Sequence, residues 1–89
     1  MSPVILEPRD LRQFSAFLAD LSVSLSHAES KCTAELQSLR SVWRDEKLSE
    51  FEQKYQRTAD EVTRFCLVCE HYAAHLDEKA KRAERYLGG

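Results

Sequence analysis

The sequence predicts an all-α fold: an antiparallel helix-turn-helix hairpin that dimerises into a four-helix bundle. Three observations predict it. Apolar residues recur at steps of three and four along most of the chain. No Gly or Pro occurs between residues 9 and 87, and no segment alternates as a strand would. The apolar stripe also lapses once, near the middle. At 89 residues the chain forms one domain, 1–89, whose lone copy buries only a modest core. A partner is therefore expected from size alone.

Helix 1 is predicted over about residues 10–43, with Asp10 as its N-cap after Pro8. Its stripe runs Leu11, Phe14, Leu18, Leu21, Leu25, Ala28 and Cys32, then Leu36, Leu39 and Trp43. The two successive steps of four around Cys32 are a stutter, which relaxes a left-handed supercoil locally.

The turn is predicted over about 44–48. A continued stripe would fall on Glu46 or Lys47 and then Glu50, and five of the seven residues 44–50 are charged. Asp45 is placed to cap a helix starting at Glu46, and Ser49 to Glu52 has capping-box spacing. Arg40 and Arg44 suit a helix C-terminus, and Glu46, Glu50 and Glu52 an N-terminus. These features favour a hairpin over one continuous rod.

Helix 2 is predicted over about 49–87. Its stripe is Phe51, Tyr55, Thr58, Val62, Phe65, Cys69, Tyr72 and Leu76, resuming at Ala83 and Tyr86. Beside it runs a row of small residues, Ala59, Cys66, Ala73 and Ala80. So wide a stripe fits a bundle core better than a single coiled-coil partner. On the polar side, Glu50–Lys54, Asp60–Arg64, Asp77–Lys81 and Glu78–Arg82 have the spacing of ion pairs. The dimer and core stripe expected is Leu11, Phe14, Leu18, Leu21, Leu25, Leu36 and Leu39 with Tyr55, Val62, Phe65, Cys69, Tyr72 and Leu76. The "FCLVC" run, Phe65 to Cys69, adds Leu67 and Val68 on the otherwise polar side, a place for a second chain.

Composition excludes several functions. A net charge of −2 with interspersed signs argues against nucleic acid. No apolar run approaches the length of a membrane span. The N-terminal "MSPVILEPRD" has an apolar patch, Val4 to Leu6, but no basic region, so no cleavable signal peptide is predicted. Cys32, Cys66 and Cys69 are an odd set inside helical patterns, which suits a reducing cytoplasm rather than a disulfide framework. Cys66 and Cys69 read as small core residues, and His71, His75 and Glu78 as a solvated face. No phosphate loop, nucleophile elbow or acid–base pair is present. The expectation is a non-enzyme with no cofactor and no metal.

The stretch "LRSVWRDEKLSEFEQKY" carries a resemblance. With Leu39 four before Trp43, and Phe51 eight after it, the chain resembles the Trp-x-Gly family of small early-secretory-antigen-type hairpins. The turn motif here is Trp43, Arg44, Asp45 and Phe51, with Asp45 in the glycine's place; Asp tolerates a turn and can cap. The family's Tyr-x-x-x-Asp/Glu export signal is not matched: Tyr86 is followed by "LGG" and Tyr72 by Leu76 at the fourth position. The resemblance implies a non-enzymatic homodimer linked to type VII-like secretion or virulence in bacteria. It would be cytoplasmic, or secreted without a cleavable signal. Its partners would include a larger secreted effector or a secretion-system component. The alternatives are a cytosolic adaptor or chaperone for such an effector, and a generic coiled-coil scaffold.

Overall fold

A computed structural model describes residues 7–88; the Val4–Leu6 patch lies outside them. Two helices, α1 (Pro8–Leu39) and α2 (Glu46–Gly88), pack against each other as a hairpin, joined by residues 40–45. At 1.5 Å per residue the 43 residues of α2 span about 65 Å. That accounts for the 64 Å long dimension of the 64 × 26 × 15 Å molecule. The other two dimensions are two helices wide and one helix thick. The hairpin is a single layer.

The helix ends differ from the expected bounds for local reasons. Helix α1 starts at Pro8 rather than Asp10, since proline suits the first helical position, where its missing N–H and fixed φ cost nothing. Glu7 occupies the N-cap without a side-chain bond, and Asp10 sits in the first turn, its N–H bonded to the Glu7 carbonyl at 3.0 Å. Helix α1 ends at Leu39, and the chain tightens beyond it. Val42 and Trp43 both donate to the Leu39 carbonyl, at 3.0 and 2.8 Å. Helix α2 starts at Glu46, three residues before the expected 49, because Asp45 supplies the cap. Ser49 is already inside the helix, donating to the Asp45 carbonyl at 3.3 Å, so the Ser49–Glu52 capping box does not form at its start.

What closes the hairpin is the row of small residues. Ala59, Cys66, Ala73 and Ala80 are buried along α2, at seven-residue intervals, and Ser15 and Ser22 are buried along α1. Short side chains let the backbones approach until hydroxyls reach carbonyls on the other helix. The Ser15 Oγ donates to the Ala73 carbonyl at 2.9 Å. The Ser22 Oγ lies 3.2 Å from a Glu70 carboxylate oxygen and 3.5 Å from the Cys66 carbonyl, and the Cys66 Sγ returns to the Ser22 carbonyl at 3.5 Å. Two turns further along α1, the Tyr55 hydroxyl donates to the Glu29 carbonyl at 2.8 Å and lies 2.9 Å from the Thr33 hydroxyl. Such bonds are each worth about 1 kcal/mol net, and they fix the register. Among the described residues no buried side-chain polar atom lacks a partner.

The large apolar residues of the expected dimer and core stripe lie beside this seam. Leu11, Leu18, Leu21, Leu25, Leu36, Tyr55, Val62 and Leu76 are half-buried, and Cys69 is buried. Phe14, Leu39, Phe65 and Tyr72 are exposed, 53, 37, 47 and 54% respectively. They flank the small seam instead of filling it. The expected i, i+4 ion pairs are also replaced: among the described residues Lys47 pairs with Glu50 at 3.4 Å and Lys81 with Glu78 at 3.7 Å, both i, i+3 and exposed. Exposed pairs of this kind contribute little. The pairs that join the helices are Arg12 with Glu84 at the open end and Arg40 with Glu52 near the turn.

Replacing Ala73 by Leu puts bulk where Ser15 reaches the backbone, and is expected to cost about 1–3 kcal/mol in urea unfolding. Ser15→Ala, which removes one bond without crowding, is expected to cost about 1 kcal/mol or less.

Candidate association surface

Each helix turns most of its large apolar residues to one side of the small seam, with Val23 and Leu67 exposed on the other. Counting about 100° per residue, Phe14, Leu21 and Leu25 lie roughly 80–120° around α1 from Ser15. Phe65, Tyr72 and Leu76 lie roughly 60–100° around α2 from Ala73, in the same sense. In an antiparallel pair, equal senses place both sets on one side of the hairpin. A notch of about 200 Å³ confirms the shared side, since Leu25, Ala28 and Cys32 of α1 line it with Thr58, Ala59 and Val62 of α2. Its lining is almost wholly apolar.

The expected site residues divide between this face and the turn. Phe14, on the face, stacks with Phe17 beside it, centroids 6.0 Å apart. Tyr72 meets His71 edge-on at 5.3 Å. Tyr55 reaches across the seam. Its bond with Thr33 favours the phenolate, but burial and the neighbouring Cys32 and Glu29 outweigh that and push its pKa above the ordinary tyrosine value.

At the turn, Trp43 does not pack on Phe51. Phe51 stacks on Tyr55 at 6.2 Å, and Trp43, half-buried, has its indole beside Asp45. Asp45 caps α2: its Oδ1 accepts the Leu48 N–H at 3.1 Å. The Trp43 indole first, then the backbone N–H groups of Leu48 and Lys47, hold the Asp45 carboxyl below its ordinary range. Arg44 closes the other helix end, its Nε donating to the Arg40 carbonyl at 3.0 Å. Arg40 and Glu52 form a two-pronged bond, with Nε to Oε1 at 3.0 Å. The hydrogen bond and charge of Arg40 lower the Glu52 pKa, and those of Glu52 raise the pKa of Arg40. Leu48, only 3% exposed, plugs the hairpin end. Its place inside a charged stretch hid it from the stripe reading. The signal was there: Leu48, Glu52, Tyr55, Ala59, Val62 and Cys66 step by 4, 3, 4, 3 and 4.

Cys66 and Cys69 are buried and Cys32 half-buried, all as free thiols. Among the described residues no three His, Cys, Asp or Glu side chains gather as metal ligands, and no helix is long and apolar enough to cross a membrane. The arrangement presents an exposed apolar face, and Val23 and Leu67 are exposed on the opposite side of the seam. No family model matches the chain, and comparison with curated proteins and with solved structures finds no match.

The turn makes a prediction about acid. Asp45 and Glu52 have folded pKa values below their unfolded ones, so their stabilising contribution is fully present above about pH 4–4.5, the ordinary carboxylate values. It is lost as pH falls through the lower, folded values. Melting temperature followed from pH 7 to 2 is expected to drop across that window. Asp45→Asn, which keeps an acceptor without the charge, is expected to melt lower at pH 7 and to lose part of the acid-dependent drop.

Proposed function

We propose that this chain works by protein–protein association, as a non-enzymatic helical hairpin whose apolar face docks on another helical hairpin to complete a four-helix bundle. The observation that carries this reading is the single layer. Stable domains pack two or more layers around a core, and a lone hairpin leaves one face of each helix in water. Here that face holds Phe14, Phe65 and Tyr72, each about half exposed. A homodimer is the simplest assembly, because the complementary layer is then the chain itself.

The secretion-linked part of the proposal rests on the turn motif, Trp43, Arg44, Asp45 and Phe51, in a hairpin of this length. In that role the dimer is an early-secretory-antigen-like substrate or partner of a type VII-like apparatus. A second reading is favoured by one observation. Leu76 stands four after Tyr72, where the export motif has Asp or Glu, which suits an adaptor or chaperone that stays in the cytoplasm and carries a larger effector.

Phe65→Lys is expected to convert the dimer to monomer in sedimentation equilibrium, with helicity by circular dichroism retained, because Phe65 lies outside the small seam. A monomeric parent chain would contradict self-association. Tagged chain found in culture medium only when the secretion apparatus is intact supports export; retention in cells bound to a larger protein supports the adaptor reading.

A further inference from the structure

The small seam fixes which residues of the two helices stand level, and so reveals a taper along the apolar face. The Ser15–Ala73 bond sets Phe14 level with Tyr72. Seven residues further along α1, the Ser22–Cys66 contacts set Leu21 level with Phe65. Seven further again, the notch sets Ala28 beside Thr58. The face is bulky at the first level, intermediate at the second and hollow at the third. Each outer level stands about 10 Å from the middle one.

We propose that the occupant of this face is a second copy of the chain, docked antiparallel about a two-fold axis through Leu21 and Phe65, with Phe14 of each copy seated in the other's notch. The inference rests on the reading that this face associates, and it specifies the partner and the register. A two-fold at the middle level carries the bulky level of each copy onto the hollow level of the other. Phe14 and Ala28 are each seven residues from Leu21, and Tyr72 and Thr58 are each seven from Phe65. Such an isologous contact satisfies the knob and the notch twice. The notch, at about 200 Å³, is large enough, since an apolar cavity of about 150 Å³ accepts a benzene ring. A parallel pairing of the two hairpins would instead set bulk against bulk and hollow against hollow.

The exposed area supports a partner of this size. The chain exposes 7255 Å², whereas a compact monomer of 10.3 kDa exposes about 5,400 Å². The excess, roughly 1,900 Å², exceeds the roughly 800 Å² that each partner contributes to a standard stable interface. An axis at Leu21 also falls near the middle of α1, so the two hairpins overlap along most of their length.

The test exchanges knob and notch in the full-length chain and reads dimerisation by sedimentation equilibrium, with circular dichroism confirming that each variant folds. Phe14→Ala and Ala28→Phe, made singly, are each expected to weaken the dimer by about tenfold or more, as loss of a seated aromatic does at interfaces. Together in one chain, F14A and A28F move the knob to the old notch and the notch to the old knob. The double variant is expected to dimerise more tightly than either single variant. A parent dimer that F14A leaves unchanged, or a double variant weaker than both singles, overturns this register while the association reading stands. A parent chain that is folded and monomeric overturns both.

Discussion

The close approach of two backbones over small side chains is the constraint on which the rest of this molecule depends. Ser15 faces Ala73 and Ser22 faces Cys66 at a separation short enough for side chains to reach main-chain carbonyls. A seam of that kind leaves no room for Leu or Phe. Large residues next to it are forced outward, and the spacing of the sequence sends most of both helices' large residues the same way. Packing inside the hairpin therefore creates the exposed face outside it.

The polar elements of the seam serve register more than net stability. A purely apolar pair of long helices can slide by a turn at modest cost, whereas a buried hydroxyl that loses its acceptor pays a desolvation cost of about 1–3 kcal/mol. The seam bonds lie in the middle of the molecule, and the Arg12–Glu84 and Arg40–Glu52 pairs lie towards its two ends. At the turn, Asp45 caps α2, Arg44 caps α1 and Leu48 fills the space between, so the reversal of direction is held without a glycine or a proline. Register inside the hairpin also sets which residues stand level along its exposed apolar face.

Much of this was legible in the sequence. The two helices, the hairpin and the cap at Asp45 followed from periodicity, from the lapse of the stripe and from capping chemistry. The row Ala59, Cys66, Ala73 and Ala80 was visible too, but its role was not. A stripe reading ranks residues by hydrophobicity, so Phe14 and Phe65 outweighed Ser15 and Ala73, although helix packing rewards shape before hydrophobicity when backbones come close. Ser15 and Ser22 were passed over because a lone serine in a helix is ordinarily a surface residue; only a neighbour's carbonyl makes it a core residue. Leu48 was missed because its surroundings are charged. Trp43 and Phe51 stand eight residues apart, but α2 begins between them and Phe51 stacks on Tyr55.

The central claim is that the hairpin closes on its small residues and leaves its large ones for a second layer. Small-angle X-ray scattering of the full-length chain tests it most directly, because length and mass come from one sample. A dimer of stacked hairpins has twice the mass of the 10.3 kDa chain within a maximum dimension close to the 64 Å of one hairpin. A particle of single-chain mass, or one longer than about 100 Å as extended helical rods would give, would contradict it.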